Sequence, residues 1–456
     1  MSNQTRSIGL DALRGTAILL MIFSGVIPFG GALPAWMYHA QVPPPEHIFK
    51  PEVPGITWVD LVFPFFLFSM GAAVPFALPR RLFREGLKGT VLHIARRYLF
   101  LLLFAVISFN MAPLRIPEAG PWSNFIGIAA YFALFLAFVE SPVLGSLQKR
   151  IFRALGWSIL AVLAVLLTLN FRTFDPAVND PIIRVLATVY LVGSIIWLFT
   201  RERPLLRTAI ALLFLAFYLG GSESGTWVNR IWTISGPWNL ASPFLLKYLL
   251  LFIPGTLAGD WLIAGPGAEE KSGRSGLFLL LAAVLSGIAL WSLFVRSVGI
   301  GFALTLVLVV GCLVLLLVRK RGMPFSSLEQ LFLGGGILLL AGYLSEPFQG
   351  GIHKDHSTLS YFFVTGGLAA LWAGGFEETA GGVLGKAWRP LATVGQNALM
   401  AYLMAGFLLA PLFAISGLSG LFAGSIAMQV FKALLLTAIA GGIAALCAKR
   451  KIFWKL

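Results

Sequence analysis

The stretch GIGFALTLVLVVGCLVLLLV, residues 299–318, decides the fold. It carries no charged side chain and is long enough to cross a hydrocarbon core about 30 Å thick. Lipid offers no partner to a backbone N–H or C=O, so a stretch of this kind must be helical. Working outward, similar apolar runs recur along the whole chain and predict fourteen spans. They lie roughly at 11–31, 58–78, 91–110, 122–140, 153–170, 182–200, 205–221, 243–264, 276–295, 299–318, 327–344, 358–376, 391–414 and 423–446. The seventh and eleventh are short and rich in glycine, which makes them candidates for re-entrant segments. The roughly ten-residue alternation of a membrane β-barrel is absent. Of 456 residues, 58% are hydrophobic and 12% charged, against about a quarter charged in soluble domains. The expected fold is therefore all-α: one polytopic transmembrane bundle over 1–456, with about 11–14 spans.

The formal charge of +15 does not indicate nucleic acid, because the basic residues lie in short loops between apolar runs. Counting alternate loops puts about 25 of the Lys and Arg residues on one side, which marks that side as cytoplasmic. Among them are Arg80, Arg81, Arg84, Lys88, Arg96, Arg97, Lys149, Arg150, Arg153, Arg201, Arg203, Arg207, Arg319, Lys320 and Arg321, with Lys449, Arg450, Lys451 and Lys455 in the tail. Both termini are then inside. The first span has no convincing cleavage site and reads as retained. Cys312 and Cys447 sit far apart in apolar runs and read as small buried hydrophobes.

The residues suited to chemistry cluster in the first two spans and the loop between them. Asp11 and Arg14 stand three apart at the cytoplasmic mouth of the first span, where they can pair and Arg14 can receive an anionic ligand. Only five histidines occur. His39 and His47 share the external 32–57 loop, and His353 and His356 lie in a second external loop with Lys354 and Asp355. Histidine is the side chain best suited to proton transfer near neutral pH. Without tight ligand spacing, a metal site is not indicated. Asp60 opens the second span, where it can either cap the helix or orient a histidine. Pro64 is expected to kink that helix and free a carbonyl.

These residues resemble the heparan-α-glucosaminide N-acetyltransferase family within a wider group of transmembrane acyltransferases. The likeness begins with Ser7-x-x-Leu10-Asp11-Ala12-Leu13-Arg14-Gly15 and a loop histidine. It continues through Gly55-x-Thr57-x-x-Asp60-Leu61-Val62-Phe63-Pro64-x-Phe66-x-Phe68-x-x-Gly71. Leu114-Arg115-Ile116-Pro117, Gly255-Thr256-Leu257-Ala258-Gly259-Asp260-Trp261, Ser360–Ala369 and Gly395-Gln396-Asn397-Ala398 are similar to later segments. The resemblance implies transfer of an acetyl group from cytoplasmic acetyl-CoA to an extracytoplasmic amino sugar, with a loop histidine as the active group. Three features depart from the family: a longer histidine loop, Gly25 in place of an asparagine, and extra spans around 276–344. Either His39, followed by Ala, or His47, preceded by Pro-Pro-x-Glu, is the counterpart of the family histidine.

The sequence thus leads to an acyltransferase of a bacterial inner membrane, acting on a sugar amine or hydroxyl. His39 or His47 would act as base or acyl carrier and Asp60 as its partner. Asp11, Arg14, Arg96 and Arg97 would meet the acetyl-CoA co-substrate, and Lys354, His353 or Asn397 the acceptor or oxyanion. A homodimer is compatible with this reading. A transporter or flippase for amino sugars or lipid-linked sugars is the rival class.

Overall fold

In the computed structural model, residues 6–30, 33–171, 173–237, 240–265, 276–320 and 324–455 are described; Arg321 lies outside them. The chain is 77% helical. Twelve helices among the described residues are long and apolar enough to cross a membrane. The protein is an integral, multi-pass membrane protein. One of the twelve, Trp58–Asn110, has 53 residues and as a straight rod would measure about 80 Å, far more than a bilayer core. It is broken at Gly86, whose φ of 68° and ψ of −175° suit only glycine. Residues 70–81 before the break and 93–101 after it line the same cavity, so the chain turns back there. Counting this helix as two and adding the 17-residue Trp122–Phe138 helix gives one helix for every expected span.

Three expectations are corrected. The seventh and eleventh spans are uninterrupted 19-residue helices, Pro204–Ser222 and Ser327–Ser345, not re-entrant segments. The thirteenth starts at Ala398, because 391–395 belongs to a separate amphipathic helix, Val383–Gly395. Pro64 does not kink its helix, since it lies in the first turn, where no intrahelical acceptor is lost. The carbonyl four residues back is nonetheless free, and Tyr361 Oη donates to this Asp60 oxygen at 2.9 Å.

The alternation of loops is visible in their partners. Loops expected on the histidine side meet one another: Gln41 bonds Asp355 N, Asn110 bonds Asp175 N, and Arg296 pairs with Glu346. On the basic side, Arg207 reaches Asp260, Asn397 reaches Ile452 and Trp454, and Arg6 and Lys455 line one cavity. The described ends of the chain therefore lie at the same face.

Glycines let the central helices touch backbone to backbone, the contact that dispersion favours in lipid. A Cβ at Gly71 would come 2.3 Å from Phe252 O, and one at Gly255 2.4 Å from Phe68 O. The first helix is held likewise: a Cβ on Gly15 would meet Leu391 O at 1.9 Å, and one on Gly395 would meet Asp11 O at 2.1 Å. Buried acids hold the helix starts. Glu377 accepts from Ser7 Oγ at 2.6 Å and Gly9 N at 2.9 Å, while its neighbour Glu378 accepts from Phe278 N at 2.9 Å. Arg207, 0% exposed, pairs with Asp260 at 2.5 Å and gives its other protons to Thr200 and Thr256.

Asp260→Asn leaves that guanidinium buried without its anion, so a loss of about 3–5 kcal/mol is expected. Thermal unfolding in detergent checks it, and an Arg207→Met/Asp260→Leu pair should recover most of the loss. Gly71→Ala should lower the same transition more than Gly287→Ala, because a Cβ at Gly287 meets open space.

Candidate active site

Thr57 starts a short 3₁₀ turn, Trp58–Leu61, that feeds the second helix. The capping position fixes Asp60, which is 2% exposed, and its two oxygens divide the work. Oδ2 accepts from Thr57 N at 2.9 Å and from Ala40 N at 3.3 Å. Oδ1 faces His39 Nδ1 at 2.8 Å. Asp60 therefore fills both roles the sequence offered, helix cap and histidine partner. Because Nδ1 serves the carboxylate, Nε2 is the ring nitrogen able to accept a proton. The His39 side chain is 35% exposed, so the ring reaches solvent while its partner does not.

Lys354 joins this pair from 315 residues away, with Nζ at 3.2 Å from both ring nitrogens of His39. Its loop has a strained backbone: Gln349, His356 and Ser357 all have positive φ, a feature that clusters at functional sites. The loop is tied down from all sides. Gln41 Oε1 accepts from Asp355 N at 2.8 Å, Tyr248 Oη meets Ser357 Oγ at 2.9 Å, and Lys247 Nζ donates to His356 O at 3.1 Å.

His47 has different surroundings. Its Nδ1 lies 3.3 Å from Val42 O, and its ring packs edge-on against Tyr38 and Phe29. His353 is buried, with Nδ1 on Gly351 O at 3.1 Å and its N–H on Thr358 Oγ1, contacts that shape the loop.

At the opposite face lies a cavity of about 830 Å³. Arg6, Arg14, Arg81, Arg96, Arg97, Arg153 and Lys455 line it, with His93 and a single carboxylate, Glu140. Glu140 is already neutralised by Lys149 and Arg153. Asp11 accepts from both Arg6 and Arg14, the latter at 3.5 Å, and Arg14 also donates to Ser69 O at 3.2 Å. Arg96 and Arg97 lie over the rings of Phe100 and Tyr190. Thus Arg14, Arg96 and Arg97, picked out from sequence, line one cavity, with Asp11 positioning Arg14.

Asn397 is the exception among the expected site residues. Its side chain donates to Ala444 O and Ile452 O and accepts from Trp454 N. It is on the basic side, with every bond given to main chain, and so cannot serve an acceptor or oxyanion near His39. Its task is to pin the tail, where Phe453–Trp454 pairs antiparallel with Val139–Glu140 and places Trp454 and Lys455 in the cavity wall.

Sequence reasoning missed Gln41, Lys247, Tyr248 and Tyr361, which hold the site from other spans, and it read Lys455 only as a topological anchor. Tyr361 carried a faint signal, as the partner that a Pro64-freed carbonyl requires.

No curated protein matches the chain. Residues 6–262 match the family described as "Domain of unknown function (DUF5009)". That segment holds His39, Asp60 and most of the basic cavity, and it is more than half of the chain, which therefore belongs to this family.

Proposed function

We propose that this protein is a membrane-embedded acyltransferase. It would take an acetyl group from acetyl-CoA at the basic face and deliver it to a sugar amine or hydroxyl at the histidine face. The observation that carries this reading is the pairing of two unlike sites on the same helix. Asp60 holds His39 at one end, and Ser69, nine residues later, holds Arg14 at the cavity. Nine helical residues span about 13 Å. A ligand with phosphates at one end and a thioester on a flexible arm suits that arrangement. Seven basic side chains line the cavity, and after Asp11, Glu85 and Glu140 have paired with some of them the balance still favours a polyanion; arginine forks bind phosphate oxygens in pairs.

In this mechanism the acceptor N–H or O–H approaches His39 Nε2, which takes its proton as the acceptor atom attacks the thioester carbon. Asp60 keeps the imidazole in the tautomer whose Nε2 is the proton acceptor, a position the substrate takes over from Lys354 Nζ, and stabilises the imidazolium formed. Lys354 supplies a donor for the oxygen of the tetrahedral intermediate. Collapse breaks the C–S bond, and the thiolate takes the proton from His39, giving the acylated acceptor and free CoA. The basic-side-in charge bias suits a bacterial cytoplasmic membrane, with CoA drawn from inside and the acceptor outside.

His39→Ala and Asp60→Asn should each lower acetyl transfer to glucosamine by about 10²–10⁴-fold while acetyl-CoA binding persists. His47→Ala should stay within a few-fold of the parent. Normal turnover in the His39 variant would sink the mechanism. Acetyl-CoA at 100 times its Kd should stabilise the detergent-solubilised protein by about 2.7 kcal/mol, and Arg14→Gln or Arg97→Gln should weaken that response. If no acyl-CoA stabilises the protein and labelled glucosamine instead enters proteoliposomes, transport is the correct class.

A further inference from the structure

Beyond the basic cavity, four helices border a second, much smaller space of about 30 Å³. Phe66, Ile183, Leu186 and Leu399 border both spaces, so the small one adjoins the large one across these four side chains. Its remaining walls include Met21 from the first helix and Phe63 from the second. Phe63 is one helical turn from Asp60, so the space ends close beneath the carboxylate that holds His39. Every side chain around it is apolar except Tyr402, whose hydroxyl is occupied by donating to Asp180 Oδ2 at 3.3 Å. The Phe63 ring packs edge-on against Tyr248, with centroids 5.7 Å apart. Tyr248 in turn bonds Ser357, whose hydroxyl donates to Lys354 O at 2.8 Å.

Resting on the acyl-donor reading above, we propose that this apolar space selects the acyl chain, with Phe63 and Met21 as the residues that restrict it to acetyl. A polyanion bound among the arginines would place its uncharged thioester end against the adjoining apolar space, reached past the shared side chains Phe66 and Leu399. A space of 30 Å³ takes about two water-sized groups, enough for the methyl and carbonyl of an acetyl group. Longer chains would have to push against Phe63 and Met21, and a methylene that does not fit an apolar pocket changes discrimination by about 10- to 200-fold. The Phe63–Tyr248–Ser357 contacts tie the wall to the Lys354 loop, so an oversized chain would also disturb the site that must accept it.

The test measures binding and turnover of acetyl-, butyryl- and octanoyl-CoA by the purified full chain with glucosamine as acceptor. Butyryl-CoA, two methylenes longer, should be used at least about 100-fold less well than acetyl-CoA. Phe63→Ala should narrow that ratio by at least about 10-fold. Met21→Ala, acting from a different helix, should move it the same way and guards against a Phe63 variant that fails to fold. Equal use of acetyl- and octanoyl-CoA by the parent, or an unchanged ratio in both folded variants, would overturn the selector while leaving acyl transfer intact. If none of the three thioesters is bound or consumed, the acyl-donor reading itself falls, and the selector with it.

Discussion

Hydrocarbon offers no hydrogen-bond partners, so a helix start buried in this protein must find acceptors for its first N–H groups within the chain. Buried or half-buried acids do this repeatedly. Glu377 serves the first helix and Glu378 the Leu277–Phe294 helix. Asp180 accepts from Ile182 N and Ile183 N, and Glu329 from Ser326 N. Each carboxylate also meets the positive end of a helix dipole, which offsets part of the cost of keeping a charge out of water. Asp60 belongs to the same set, with one oxygen on Thr57 N. Its second oxygen is turned outward to a histidine, so a site able to move a proton grows out of a requirement every membrane helix has.

The helices were legible in the sequence because lipid permits little else in an apolar run of span length. The loop partners agree with the alternation of basic residues, so the topology was legible too. What escaped was finer. The break at Gly86 is a matter of one residue's φ, and nothing in composition marks it. The amphipathic Val383–Gly395 helix merges with the next span in any hydropathy reading, since only Gln396 and Asn397 separate them.

Site residues were legible as far as their chemistry is rare. Five histidines in 456 residues draw attention to any that share a loop, and an aspartate at a span entrance needs a partner. Choosing between His39 and His47 required three-dimensional contacts: one ring meets a carboxylate and the other is set among Tyr38 and Phe29. Asn397 misled for a related reason. A polar side chain beside a span is conspicuous whether it serves a ligand or the backbone, and here three main-chain groups occupy it. The glycines of the quoted motifs, Gly15, Gly71, Gly255 and Gly395, find a sufficient explanation in close helix approach.

The cavity that Arg6 and Lys455 both line has a further consequence for how the molecule comes into being. Residues so distant along the chain can meet only after all the intervening spans have been inserted and packed. Contacts of such high sequence separation form late, because loop closure precedes the interactions that reward it. Six of its seven basic residues lie between Arg6 and Arg153, so the positive charge can gather once the early helices have packed. Trp454 and Lys455 join the lining only when the last helix is in place. The tail therefore finishes a pocket whose charge is already assembled.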